Sequence, residues 1–470
     1  MKAMGKSVHF LGVGGIGMAG LAGLLKARGF RITGTEARPP YSPSREVLKA
    51  LGVEPFLGFH PENIDRIKPS AVVVGNVIRA DNPEAKRAME LGLPRYSLPS
   101  ALTEWILPGK RSLVVAGTHG KTTTTALLAH TLRALKTDPT YLVGGILRST
   151  GLNFGAGRGP LVVLEGDEYD SAFFDKSPKF WHYRPWAAIL TGVEYDHADI
   201  YPDYQALLSA FRRFVALIPR EGVLVFCGDD PGARETISES SCRLLSYGKA
   251  PGNDYVLEGF APQSSGSTIR IRTPRGRFQI KIPLFGEHNA LNALAVTALL
   301  LELGFSVEDI SRGFSFFQGV LRRQEVLYRG KVTVVDDFAH HPTAVRVTLS
   351  ALKEALRPSR LFVCFEPRTN TSKRALFMVE YVRSLSLADR VFLKEPPGLD
   401  RIPEEERLDL RKLAEELEKT GVPAGVETES QLGKRIAEEV RAGDLIVFMS
   451  SASFGKVCSD LIVSLKERGL

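Results

Sequence analysis

A chain of 470 residues, 44% hydrophobic and 24% charged, is long enough for two to four cores, and its composition excludes a disordered or fibrous protein. Its net charge of +8 favours anionic ligands, but no dense Lys/Arg run with interleaved aromatics accompanies it. Small phosphorylated ligands are therefore expected and nucleic acid is not. The scattered cysteines Cys227, Cys242, Cys364 and Cys458 form no C-x-x-C pair, which argues against a zinc site or disulfide framework and for a reducing compartment.

Lys2 and Lys6 precede an uncharged stretch, Val8 to Leu25, that has the outline of a signal peptide. Its glycines, Gly12, Gly14, Gly15, Gly17, Gly20 and Gly23, would weaken a lone apolar helix, whereas a nucleotide-binding turn needs several of them. Neither secretion nor membrane insertion is expected. The strand VHFLGV, a glycine turn, a helical stretch through Arg28 and the strand RITGTE make a β-α-β start. Gly12-x-Gly14-x-x-Gly17 opens the helix and Glu36 ends the next strand, a dinucleotide-type fingerprint whose backbone amides can approach a pyrophosphate. A plain β-α turn would look the same, and UDP would satisfy the site as well as NAD. The buried strand AVVVG follows, and Pro108-Gly109-Lys110 reads as a linker closing a first unit over 1–110.

A second unit over 111–319 begins SLVVAGTHGKTTTTALLAHTLRAL, again strand, glycine turn and helix. Gly117-Thr118-His119-Gly120-Lys121-Thr122 is a shortened P-loop with Val115 where the longer pattern has a glycine. Its amides can cradle phosphates, Lys121 can neutralise them and the Thr122 hydroxyl can hold Mg2+. Glu165-Gly-Asp167-Glu168-Tyr-Asp170 follows LVVL, and Glu194-Tyr-Asp196-His197 follows AAILTG. Acids and an imidazole at strand ends beside a P-loop point to metal ligands, although many such charges merely cap helices or face solvent. Tyr255 to Pro283 alternates like a small antiparallel subsheet. Asn289 and Asn292 open an apolar helix and share a face, with capping the simpler role for Asn289.

A third unit over 320–470 carries the strands VTVVDD, RLFVCFE, RVFLKE and DLIVFMS and the helix TAVRVTLSALKEAL. Asp336-Asp337-Phe-Ala-His340-His341 and Glu366-Pro367-Arg368-Thr-Asn370 follow strands directly, where α/β ligand sites lie. Glu404 to Lys419 reads as a solvated helix face.

In order and spacing, over essentially the whole chain, these motifs resemble the Mur ligase family. GVGGIGM resembles its muramate-binding branch, and EGDEYDSAFFDK, KFWHYRP, EYDHADIY, DDFAHHPTA and EPRTNT resemble the members that act in peptidoglycan recycling. The resemblance implies an α/β protein of three domains: a Rossmann-like UDP-binding domain, a P-loop ATP-binding central domain and a Rossmann-like C-terminal domain. It implies a cytoplasmic ligase, using ATP and Mg2+, that joins the lactyl carboxylate of UDP-N-acetylmuramate to the amine of L-Ala-γ-D-Glu-meso-diaminopimelate through an acyl phosphate. Free L-alanine is the rival acceptor, and a nucleotide-binding oxidoreductase or regulatory module is the alternative of another class.

Residue by residue, the resemblance implies that Gly12, Gly14, Gly15, Ile16, Gly17 and Glu36 bind the UDP-sugar, and Gly117, Thr118, Gly120, Lys121, Thr122 and Thr123 the ATP phosphates. Thr122, Glu165 and His197 would hold metal, Asn289 and Asn292 adenine, Asp337 ribose. Arg323 would reach the γ-phosphate, His341 would line the closed site, and Arg368 and Asn370 would meet the acceptor. Lys121, Glu165, His197 and Arg323 form the implied catalytic set. Gly192 stands where relatives usually carry Asn, no lysine between Lys179 and Lys249 is available for carbamylation, and Ser450 to Gly455 departs from the recycling pattern.

Overall fold

The structure, a computed structural model, describes residues 5–196 and 200–470. It has three domains, each built on its own largely parallel sheet. The first sheet has the parallel order Phe56–Leu57, Arg31–Glu36, Ser7–Leu11, Ala71–Val74, Arg95–Ser97. Strand order reverses beside Ser7–Leu11, so a ligand crevice opens at that strand's carboxyl end, where the glycine turn begins. Ala71–Val74 is buried throughout, as a parallel strand covered on both faces must be.

The glycine run has two separate uses. Gly12 takes φ +80 in the turn, a backbone conformation that residues with a Cβ adopt at a cost. Gly20 and Gly23 lie inside the helix Ile16–Ala27 and serve packing instead: a Cβ on Gly20 would strike Leu142 and Asn153, and one on Gly23 the Phe154 ring. The helix backbone is thus laid against the middle domain, and the Asn153 side-chain amide ties it there by donating to the carbonyls of Ile16 (2.9 Å) and Val143 (3.1 Å).

The middle sheet runs Gly276–Ile282, Gly266–Thr273, Tyr255–Gln263, Arg243–Gly248, Val223–Cys227, Pro185–Leu190, Arg111–Ala116, Leu161–Gly166, Thr140–Leu147, Leu152–Gly155. The expected antiparallel segment is not a separate subsheet, because Tyr247 and Gly248 pair with Tyr255 and Val256 and make the strands one sheet. Ile269, Ile271, Ile280 and Ile282 are buried while Arg270 and Lys281 point outward, the alternation of a sheet wetted on one face. The helices Lys121–Ala134 and Glu287–Glu302 pack together on this sheet.

The third sheet runs Glu325–Arg329, Thr333–Asp337, Leu445–Ser450, Leu361–Glu366, Arg390–Lys394, Ala424–Glu427, parallel except for its first edge strand. The charged stretch after Glu404 contains the helix Leu410–Lys419, which buries Leu410, Leu413 and Leu417; only its outer face is solvated. Among the described residues no helix is long and apolar enough to cross a membrane.

Candidate active site

The glycine turn after Arg111–Ala116 has little room for side chains. Gly117 (φ +129) lies against the Thr191 hydroxyl, and Gly120 (φ +80) is so close to Asn292 that a Cβ would sit 2.8 Å from its Oδ1. This brings the start of Lys121–Ala134, with its unsatisfied amides, beside the helix carrying Asn289 and Asn292. Asn292 Nδ2 donates to Asn289 Oδ1 (3.1 Å), and Asn289 Nδ2 to the Phe285 carbonyl (2.9 Å) and Gln324 Oε1 (3.2 Å). Asn289 is not the helix cap: Gly286 occupies that position.

The Lys121 ammonium donates to Glu168 (2.9 and 3.1 Å) and to the Gly117 carbonyl (2.5 Å). Burial alone would lower its pKa, but Glu168, Asp167 and Glu165 together hold it above the ordinary lysine value. Thr122 Oγ1 donates to Glu165 Oε1 (2.7 Å), the Gly144 N–H donates to Glu165 Oε2 (2.6 Å), and the Arg323 guanidinium donates to Thr122 Oγ1 (3.0 Å). Burial, with Asp167 nearby, raises the Glu165 pKa against the lowering contacts of Thr122, Gly144 and Arg323. A cation beside this carboxylate would offset that penalty.

A second constellation closes the middle domain onto the third. His119 Nε2 lies 2.7 Å from Glu194 Oε2, Thr343 Oγ1 donates to Glu194 Oε1 (3.2 Å), and the His341 ring lies against His119, tilted by 43° with ring centroids 4.7 Å apart. The His119 hydrogen bond is the largest influence on Glu194 and lowers its pKa. Burial pushes His341 down to about 4. Gly192 accepts the Thr118 N–H through its carbonyl (2.9 Å), and a side chain there would press on Asp230, whose Oδ1 accepts from the Val193 N–H (3.0 Å). Asp230 thus supplies polar contact beside the position where Asn was expected.

Two cavities meet at His119. One is lined by Gly120, Thr123, His288, Asn289, Asn292, Arg323, Gln324 and Asp337, the other by Ile16, Gly17, the turn Thr118 to Thr123, Glu165, Asp167, Lys179, Arg323, His341 and Thr369. Asp337 accepts the backbone amides of Gln324 (2.6 Å) and Ala339 (2.7 Å), which fixes its carboxylate at the first cavity's edge. Residues from all three domains converge on the second cavity. Such a space can align a long anionic ligand with a phosphate-bearing one.

Three family models cover most of the chain: the Mur ligase family catalytic domain over residues 7–108, the Mur ligase middle domain over 115–300, and the Mur ligase glutamate ligase domain over 322–452. The chain belongs to the Mur ligase family. It is 33% identical to the UDP-N-acetylmuramate–L-alanine ligase of Carboxydothermus hydrogenoformans, over 96% of this chain and 95% of that protein. The crystal structure of the UDP-N-acetylmuramate–alanine ligase from Thermotoga maritima matches with a TM-score of 0.82 at 25% identity, over 98% of this chain and 99% of that one. A murein peptide ligase from Psychrobacter arcticus matches with a TM-score of 0.73 at 30% identity over the same shares.

As a Mur ligase, the protein is an ATP-dependent enzyme that forms amide bonds. The expectation of a tripeptide acceptor is overturned: the curated relative matched over nearly its whole length is an L-alanine ligase, and so is the solved structure of higher TM-score. Position in the fold shows why the motifs misled. EGDEYDSAFFDK and KFWHYRP, two of the stretches that carried that expectation, lie in the middle domain, where Asp167, Tyr169, Lys179 and Tyr183 line the second cavity.

The two cavities of this Mur ligase gather Gly120, Lys121, Thr122, Thr123, Glu165, Asn289, Asn292, Arg323, Asp337 and His341, with Ile16, Gly17 and Thr118. Gly12, Gly14, Gly15, Gly117, Glu36, Arg368 and Asn370 are not among the cavity-lining residues. Glu36 bonds the glycine turn itself, accepting the Gly14 N–H at 2.5 Å, and Arg368 lies 3.5 Å from the buried Glu366. His197 falls outside the described residues. Glu168, Glu194, His119, Gln324 and Lys179 join the site without having been assigned to it. His119, Glu168 and Glu194 stood inside motifs already singled out, whereas Gln324 carried no sequence signal.

Proposed function

We propose that this Mur ligase joins the lactyl carboxylate of UDP-N-acetylmuramate to the amine of L-alanine, with ATP converted to ADP and phosphate, in the cytoplasm. The observation that carries the reading is the second cavity, which runs from Ile16 and Gly17 at the glycine turn, past Lys121 and Thr122, to His341 and Thr369 of the third domain. The full-length alanine-ligase relative supports the choice of acceptor. We set the domain boundaries after Lys110 and Gly319, at the Pro108-Gly109-Lys110 linker and at a left-handed glycine of φ +85.

In this reading the sugar nucleotide lies along Gly12 to Gly17 and Glu36, and adenine lies against Asn289 and Asn292 with ribose at Asp337. The turn amides from Gly117 to Thr123 and the start of the helix take the phosphates. Lys121 exchanges part of its contact with Glu168 for phosphate oxygens, and Arg323 turns its guanidinium from Thr122 to the γ-phosphoryl group. Both cations stabilise charge on the transferring group as the lactyl carboxylate attacks in line and ADP leaves. The acyl phosphate is then attacked by the alanine amine, and phosphate leaves as the amide forms. Arg368 and Asn370 are the acceptor-side contacts, and His341 lines the closed site.

Thr122 and Glu165, hard oxygen donors in contact at 2.7 Å, suit Mg2+, and burial leaves Glu165 in need of a counter-charge. We assign the ion to them, with His197 as a further ligand; when bound, it supplies positive charge against the triphosphate. The test is phosphate release with Mg-ATP and UDP-N-acetylmuramate, comparing L-alanine with L-Ala-γ-D-Glu-meso-diaminopimelate and weighing the product by mass spectrometry. UDP-N-acetylmuramoyl-L-alanine is the expected product. Product from the tripeptide alone overturns the acceptor, and silence with both overturns the proposed substrates.

A further inference from the structure

Three Lys or Arg side chains line the second cavity among the described residues: Lys121, Arg323 and Lys179. Lys121 stands in the phosphate turn, bonded to Glu168, and Arg323 reaches the turn from the linker, bonded to Thr122. Lys179 comes from KFWHYRP, a stretch to which the proposed mechanism gives no role. Its side chain is 12% exposed, its ammonium donates to Asp167 Oδ2 at 3.1 Å and lies 4.2 Å from the centre of the Tyr169 ring. An ammonium carries three donors, so one carboxylate contact and one ring face leave capacity for another anionic oxygen.

The base of this side chain is rigid. The short 3-10 helix Lys179–His182 buries Phe180 completely against Phe211 and Phe214, and the Trp181 indole donates to the Ala210 carbonyl (3.0 Å). The same helix faces the first domain: Thr103 Oγ1 donates to the His182 carbonyl at 2.8 Å, and Thr103 lies in the helix Leu98–Trp105. Leu98 of that helix lines the cavity and packs on Gly17, where an added Cβ would sit 3.0 Å from it. Lys179 therefore belongs to the wall where the middle domain meets the first-domain helix Leu98–Trp105, beside the glycine turn.

Resting on the proposed reaction, we infer that Lys179 is the cation that holds the attacking carboxylate of the sugar-nucleotide donor and aims it at the γ-phosphoryl group. A carboxylate leaving water for this cavity passes the acids Glu165, Asp167 and Asp196 and needs a cation of its own. Lys121 and Arg323 are committed to phosphate. Lys179 meets the donor at its reacting end, before and during attack.

Steady-state kinetics of the wild-type enzyme, Lys179→Met and Lys179→Arg, varying donor, L-alanine and Mg-ATP in turn, test the inference, with thermal unfolding run on all three. Lys179→Met is expected to raise KM for the donor about tenfold or more, the scale of a lost charge-assisted hydrogen bond, and to lower kcat. KM for ATP and alanine should stay within about twofold, and Lys179→Arg should recover most of the donor affinity. A rise in KM for alanine instead of the donor overturns the inference in favour of an acceptor contact. Parallel loss in every parameter with a lowered Tm reduces Lys179 to a structural partner of Asp167, and unchanged kinetics removes it from the site. Absence of turnover in the wild type would count against the proposed reaction, whereas wild-type turnover with an indifferent Lys179→Met counts against Lys179 alone.

Discussion

Gly120 joins two demands that a side chain would violate, a φ of +80 and the presence of Asn292 Oδ1 at 2.8 Å from any added Cβ. Gly109 has nearly the same backbone, φ +74, with nothing near. Gly109→Ala should therefore cost about 1 kcal/mol from conformation alone, while Gly120→Ala should cost more and weaken ATP binding about tenfold by pushing Asn292 away. Calorimetric titration of ATP into both variants separates the terms; equal affinities would show that the Gly120–Asn292 contact does not shape the nucleotide site. His288 offers a proton-linked counterpart. Burial pushes its pKa down to about 4 from the ordinary 6.5, so the folded protein binds fewer protons than the unfolded chain between those values. Its contribution to stability is complete above pH 6.5 and is lost as pH falls toward 4, at no more than about 1.4 kcal/mol per pH unit. Urea unfolding across that range should show a shallower pH dependence in His288→Gln than in the wild type, and an identical slope would mean that His288 is not held neutral.

At the scale of elements, the strands were legible because parallel strands covered on both faces are short apolar runs: AVVVG and LVVLEG contain Ala71–Val74 and Leu161–Gly166 in the structure. The junction at Tyr247 and Tyr255 was not legible, since alternation reports which face is wet and says nothing of the neighbouring strand. The candidate site was visible at Lys121, Thr122 and Glu165, which stand in compact motifs beside strand ends. Its bonds to Glu194 were not, because His119 lies 75 residues from Glu194 and Thr343 lies 149 residues from it. The glycine run was half understood: Gly12 turns the chain, but Gly23 brings a helix onto Phe154. Gly23→Ala should destabilise the protein by roughly 1–3 kcal/mol through overpacking, although alanine favours a helix interior intrinsically. Phe154→Leu in the same chain should recover part of that loss. Additive losses, measured by denaturant unfolding of both single variants and the pair, would mean that the two positions do not meet.

For the whole molecule, the junction between middle and third domains depends on the linker from Gly319 to Gln324. Arg322 and Gln324 both hold left-handed backbone, φ +60 and +49, a conformation that costs each about 1 kcal/mol or more and is kept by what the side chains reach. Arg322 faces the third domain, bonded to Asp336 (3.2 Å) and to the carbonyls of Ser450 (2.6 Å) and Ala452 (2.5 Å). Arg323 faces the middle domain and donates to Thr122 at 3.0 Å, and Gln324 accepts from Asn289 at 3.2 Å. Neighbouring side chains thus grip opposite domains, so Arg323 can report closure to the P-loop directly. Arg323→Ala removes the bond to Thr122 while leaving Arg322 on the third sheet, and the domains should separate about the linker. Small-angle scattering should give this variant a larger radius of gyration than the wild type without ligand, with near-unchanged circular dichroism because each sheet keeps its own core. Mg-ATP should draw the variant back only in part, since the group that would meet the γ-phosphate is the one removed. If the variant instead scatters like the wild type, the contacts of Thr343 with Glu194 and of His341 with His119 hold the domains together, and Arg323 is left with phosphate chemistry alone.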